Sequence, residues 1–163
     1  MKKALKWLMI LLAVLFVAAQ GYRPARTNPP FEESKTLRAN THMTPEAAAI
    51  LERSCKDCHS SETRWPWYSN VSPISWFLQS HVDDGRRQLS FSDWGTYAER
   101  KRERKLHEMC EQVESGEMPI RSYLPLHPSA KLSDEDRRVL CDWAHAEEER
   151  LAAEQDSKPS GQP

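Results

Sequence analysis

The sequence predicts an all-α protein, a bundle of about four helices behind an N-terminal apolar helix. Three observations predict it. Helix-start signals recur, with Thr44-Pro45 placing a capping hydroxyl and a proline where a helix begins, and Ser133 followed by Asp136 in capping-box spacing. Strand-like alternation is absent, Val and Ile are few, and apolar surface comes instead from 6 Trp, 4 Tyr and 4 Phe. The chain also begins with Lys2, Lys3 and Lys6 around and before the uncharged run WLMILLAVLFVAA, Trp7 to Ala19.

At 163 residues the chain has room for one domain with extensions. Its formal net charge is −1, and about −4 without the three leader lysines. A balance so close to neutral, with no clustered basic excess, excludes a nucleic-acid partner. The leader, residues 1–19, has the basic head and apolar stretch of a secretory signal, with a small-x-small site at Val17-Ala18-Ala19. Retained, it would be a short membrane anchor. Either way the domain is expected outside the cytoplasmic membrane, in the periplasm, held at the inner membrane or released after cleavage near Ala19.

Residues 20–43 hold three prolines without periodicity and read as an extended tether. The folded domain is expected over 44–153. Its first helix would run through TPEAAAILERSCKDCH, with Ala48, Leu51, Ser54 and Cys55 on one face. A second, in SPISWFLQSHVDDG, would turn Trp76 or Phe77 and Val82 inward and stop near Gly85. A third, capped by Ser92, would carry Trp94, Tyr97, Leu106, Met109, Cys110 and Val113 in a stripe and stop at Gly116, with ERKRERK as a solvated face. The fourth would open at Ser133 and bury Leu140, Trp143, Ala144 and Leu151. Residues 154–163 read as a disordered tail. Cys110 and Cys141 are either a disulfide, favoured by an oxidising compartment, or two buried thiols.

The chemistry concentrates in CKDCHSSETRWPWYS. A thioredoxin-like dithiol needs a βαβ setting that is missing, and Cys58 and His59 are adjacent, which suits a zinc knuckle poorly. A covalent haem fits. On a helical turn Cys55 and Cys58 lie on one face, ready to add to two vinyl groups, while His59 offers its imidazole to iron. Trp65, Trp67 and Tyr68 are candidates for a flat aromatic wall against the macrocycle. For the sixth ligand Met118, in SGEMPIRSY, is favoured, and a His–Met pair holds iron at relatively high potential. His127 and His81 would give bis-His ligation. Met109 and Met43 are weaker candidates, and His42, His107 and His145 have no supporting context. His59 requires a second-nitrogen acceptor, expected among the carbonyls near Pro73. Arg86 and Arg87 are candidates to neutralise propionates. With a single Cys-x-x-Cys-His, one haem is expected.

These residues, together with RTNPP, SPISW, HVDDGRRQLSFSDW, GEMPIRSYLPLHPSAKLSDEDR and LCDW, resemble the bacterial haem-binding domain family, small exported proteins similar to monohaem cytochromes c. The resemblance covers most of residues 26–143. It implies a cytochrome c-like bundle around one covalently bound haem c, carried by Cys55 and Cys58 with His59 proximal. The expected function is single-electron transfer with a redox partner protein, membrane-bound if the anchor is retained, rather than catalysis. The alternatives are a peroxidase-like haem enzyme, or a redox or gas sensor with an open or exchangeable sixth site.

Overall fold

The protein is described by a computed structural model covering residues 1–157. Among the described residues there are six α-helices, joined by loops and short 3-10 turns, and no strand. The helices are α1 (Lys2–Ala19), α2 (Pro45–Ser54), α3 (Lys56–His59), α4 (Ile74–Gln88), α5 (Glu99–Glu114) and α6 (Asp134–Ser157). The expected all-α class is the observed one.

Local capping chemistry sets several boundaries. The Thr44 hydroxyl accepts from the Ala47 amide at 3.1 Å, with Pro45 in the first turn of α2. At α6, Ser133 and Asp136 satisfy one another reciprocally: the Ser133 amide donates to Asp136 Oδ2 at 2.8 Å, and the Asp136 amide donates to Ser133 Oγ at 3.1 Å. Each such cap stabilises a helix by about 1 kcal/mol. Gly116 adopts φ +73°, the left-handed turn that a side chain resists, just beyond the end of α5.

The core forms where α2, α5 and α6 meet. Leu106, Met109, Cys110 and Val113 of α5 pack with Leu140, Trp143, Ala144 and Leu151 of α6, and Ile50 and Leu51 of α2 complete the cluster. Cys110 and Cys141 are joined by a disulfide across α5 and α6. A buried carboxylate also ties the chain together. Glu147 is held by Arg150 at 2.8 Å and accepts from the His42 amide at 2.8 Å.

Four details differ from the sequence-based expectation. First, α2 ends at Ser54, and its inward face is Ala47, Ile50, Leu51 and Ser54, so the Cys-x-x-Cys-His turn stands apart as α3. Second, α4 passes through Gly85 to Gln88, and its buried residues are Ser75 and Val82 while Trp76 and Phe77 are exposed. Third, Ser92 caps no helix. Its hydroxyl accepts from the Ser61 amide at 2.9 Å, Trp94 is buried in a 3-10 turn, and α5 starts only after Ala98. Fourth, α6 continues to Ser157, so residues 154–157 are helical; the rest of the expected tail, 158–163, lies outside the described residues.

Residues 20–43 are largely extended, with 3-10 turns at Glu33–Lys35 and Arg38–Asn40, yet they are fastened to the domain rather than hanging from it. Asn28 Nδ2 donates to the Thr63 carbonyl at 3.0 Å, and the Leu37 amide donates to the Phe91 carbonyl at 2.7 Å. No residue of α1 is buried. Among the described residues, no helix is long and apolar enough to cross a membrane.

The disulfide closes a segment of 31 residues between α5 and α6. Replacing both cysteines by serine is expected to cost about 3–4 kcal/mol through the freed denatured chain. In thermal unfolding this should lower Tm by roughly 10 °C. An unchanged Tm would show that helix packing alone holds the segment.

Candidate functional site

The site is built on one short turn. The amides of Cys58 and His59 both donate to the Cys55 carbonyl, at 3.2 and 3.0 Å, which sets the two thiols and the imidazole on consecutive positions of a single curl. Burial pushes the Cys55 thiol up to about 12, with the neighbouring Cys58 adding to the effect and Arg53 opposing it. Burial and then Asp57 push Cys58 up to about 11, against Arg86. Both groups are therefore neutral thiols at physiological pH.

His59 is held by the segment that follows α4. Its Nδ1 lies 2.9 Å from the Leu89 carbonyl, and its own carbonyl accepts from the Phe91 amide at 2.6 Å. The Phe91 ring stacks on the imidazole at 5.7 Å. Donation from Nδ1 to a carbonyl fixes the tautomer that leaves the Nε2 lone pair for a metal. Burial lowers the pKa of His59, with Lys105 adding to that direction and backbone carbonyls of Leu89 and Gly85 opposing it, so the ring stays neutral as a ligand must. The acceptor expected near Pro73 is thus replaced by Leu89, because the chain returns to α3 from the end of α4 and not from its beginning.

The approach of α4 to α3 depends on Gly85. A Cβ there would lie 2.6 Å from the Cys58 carbonyl oxygen and 3.1 Å from its carbon, both backbone atoms. One residue on, Arg86 donates to the Ser60 carbonyl at 2.8 Å, Thr63 Oγ1 at 2.8 Å, the Thr27 carbonyl at 3.0 Å and Asn28 Oδ1 at 2.9 Å. Its guanidinium is committed to this cross-link. Arg87 is exposed and paired with Asp84. Neither arginine lines the cavities described next, contrary to the expectation that they neutralise propionates.

Two cavities, of about 310 and 140 Å³, meet at Cys55, His59, Gln88 and Met118. The larger runs between α3 and α5 along Leu51, Leu89, Phe91, Met109 and Val113, with Lys105, Glu108 and Gln112 as its polar side. The smaller continues past Cys58 to Gly85, Pro119, Ile120 and Tyr123. Lys105 is the residue that sequence reasoning missed. It was grouped with the solvated face of ERKRERK, yet its side chain is only 12% exposed and is paired with Glu108 at 2.5 Å. Packing of α5 on α6 sets the face of α5 that turns it toward the larger cavity.

Of the other residues singled out, Met118 lies on both cavity walls. His81 borders the smaller cavity, with Nδ1 2.8 Å from the Phe77 carbonyl. His127 lies apart, with Nε2 3.2 Å from the Tyr68 hydroxyl, Nδ1 3.1 Å from the Tyr123 carbonyl and its ring stacked on Tyr123. Met109 lines the larger cavity from α5, while Met43 packs on the far side of Leu51. Trp65 and Trp67 border neither cavity, and Trp67 is 78% exposed. Tyr68 is buried beside Cys58 in smaller neighbouring hollows. Tyr123, the aromatic that does reach the site, donates to Asp57 Oδ2 at 3.3 Å.

A comparison with known families matches residues 14–146 to the family described as Haem-binding domain. The chain belongs to that family. The match takes in α2 to α5 and the beginning of α6, and with them both cavities. Comparison with curated proteins and with solved structures finds no match. The haem-binding domain has walls that fit its ligand. Apolar side chains line the greater part of both cavities, a neutral imidazole and a thioether border the same space, and the larger cavity has a lysine on its wall. The buried Ser54 hydroxyl on the smaller cavity has no hydrogen-bond partner.

Gly85→Ala is expected to destabilise the protein by about 1–3 kcal/mol, since backbone on both sides must move to admit the methyl group. Urea unfolding should show the midpoint falling. An unaltered midpoint would mean that α3 and α4 are not held in this contact.

Proposed function

We propose that this haem-binding domain is a monohaem c-type cytochrome that carries single electrons on the periplasmic side of the cytoplasmic membrane. The observation that supports it best is the convergence of Cys55, Cys58 and His59, on one turn, with Met118 at the junction of two apolar cavities. In this reading Cys55 and Cys58 would hold the haem through thioether bonds, each thiol adding its sulfur to one vinyl carbon and its proton to the other, so that no electrons would be exchanged. His59 would hold the iron through Nε2, with Nδ1 fixed by Leu89. Met118 would offer its sulfur as a second ligand, and Lys105 and Gln88 would face the carboxylates of the group. The bound haem supplies a reversible one-electron couple, and the thioether ligand raises its potential.

Met118 is preferred to His127 because both ring nitrogens of His127 have partners already. The carrier reading is preferred to an enzyme because two of the acid groups at the smaller cavity are already engaged: Tyr123 donates to Asp57, and Asp84 is paired with Arg87. An inert, six-coordinate iron needs nothing more from the chain.

The test is an optical spectrum of protein matured with a c-type haem attachment system, in both oxidation states and under carbon monoxide. Haem that survives acid–organic extraction, a low-spin spectrum with the weak long-wavelength Met–iron band, and indifference to carbon monoxide are expected. Met118→Ala should abolish that band, turn the iron high-spin and open it to carbon monoxide, whereas Met118→His should restore a low-spin spectrum. A native protein that is high-spin and binds carbon monoxide at once would replace the carrier with the enzyme or sensor reading. Extractable haem would end the c-type assignment.

A further inference from the structure

One face of the folded domain, beside the haem site, is built against the pattern of the rest. Among the described residues outside α1, the exposed large apolar side chains are Tyr22, Trp67, Ile74, Trp76, Phe77 and Leu126. They are scattered over 105 positions of sequence and form two groups, which meet at the first turn of α4. The Tyr22 and Trp76 rings stand 6.1 Å apart, with Trp76 Nε1 donating to the Tyr22 carbonyl at 2.8 Å. Ile74, Phe77 and Leu126 line one shallow hollow of about 70 Å³ together with Tyr68, and Trp67 meets Tyr68 edge-on at 5.9 Å. The first turn of α4 turns Ser75 inward and its isoleucine, tryptophan and phenylalanine outward, the reverse of what a helix packed only on its own core would do.

The same face is where α1 leaves the domain. Gln20, at the end of α1, grips Ser72 from both sides: its Oε1 accepts from the Ser72 amide and its Nε2 donates to the Ser72 carbonyl, each at 3.0 Å. Ser72 is fully buried, and its hydroxyl donates to the Tyr22 carbonyl at 3.2 Å. No slack separates the apolar helix from the aromatic face. Every residue from Trp7 to Ala18 is exposed, and cationic side chains flank the run, with Lys2, Lys3 and Lys6 before it and Arg23 and Arg26 after it.

We infer that this face docks on a lipid bilayer, with the Trp67, Trp76 and Tyr22 rings at the headgroup boundary and Ile74, Phe77 and Leu126 below them. Tryptophan and tyrosine suit that boundary because one part of the ring system is apolar and the other can hydrogen-bond. The direct continuity with an exposed apolar helix, flanked by cations suited to anionic headgroups, selects lipid over a second protein as the occupant. Docking would also fix an orientation. The hollow between Ile74 and Leu126 is bounded on its inner side by Cys58, Ile120 and Tyr123, which are residues of the haem site. The Cys58 edge of that site then faces the membrane. The inference stands on the surface alone, whatever the iron ligands prove to be.

Hydrogen exchange on the full chain, with and without vesicles of phosphatidylcholine and phosphatidylglycerol, tests it. Residues 67–78 and 122–127 are expected to exchange at least about tenfold more slowly when vesicles are present. In Trp67→Ser/Phe77→Ser protein, with an unchanged circular dichroism spectrum, that protection should vanish while protection of residues 1–22 persists. Three results would overturn the inference: protection confined to residues 1–22, no binding to vesicles, or protection of 67–78 that rises with protein concentration in their absence. The last would assign the face to a second copy of the chain.

Discussion

The hydrogen bond between His59 Nδ1 and the Leu89 carbonyl is the contact around which the rest of this domain is arranged. For the carbonyl to stand there, α4 must run its full length past α3, so its glycine has to meet Cys58 without a side chain. Burial holds the imidazole pKa down, and the Phe91 ring stacks against it. A histidine left free on a four-residue helix would sample many orientations, and a metal would have to order it on binding. Here that entropy is lost on folding instead.

A second tier holds the turn from behind. Arg86 joins the loop after His59 to the segment that follows α1, through four hydrogen bonds to two separate stretches of chain. This explains why a proline-rich segment with no helix of its own belongs to the domain. Thr27 and Asn28 offer a backbone carbonyl and a side-chain amide oxygen to this half-buried cross-link, and the neighbouring prolines keep their backbone extended at little entropic cost. An arginine that satisfies four acceptors at once is a rigid strut, and lysine would not replace it.

What the sequence disclosed and what it withheld divide along the range of the interactions. The caps at Thr44 and Ser133, the stop at Gly116 and the stripe of α6 are made between residues three or four apart, and each was legible. The Cys-x-x-Cys-His turn and Met118 were legible as chemical types in a pattern. The acceptor for His59, the inward turn of Lys105 and the commitment of Arg86 were not, since each depends on a partner about 25 to 60 residues away or on how one helix lies over another. Trp67, Trp76 and Phe77 misled for a related reason. Large aromatic residues are core-forming by habit, and nothing local says that a helix will present them outward.

The four cysteines carry a last consequence. Cys110 and Cys141 are bonded to each other, while Cys55 and Cys58 stand as free thiols three residues apart. If haem is attached as proposed, one chain asks for opposite redox treatment of its two pairs. An oxidant that closes the first pair indiscriminately would also close the second, whose spacing invites it, and a disulfide there cannot add to a vinyl group. Sorting by order solves the conflict. Once α5 and α6 have packed, the bond between them is buried and shielded from thiolate attack, whereas the Cys55–Cys58 pair can still be reduced while its turn remains unfolded. Under the proposed covalent attachment, the helix pair would close before the Cys55–Cys58 turn receives its haem.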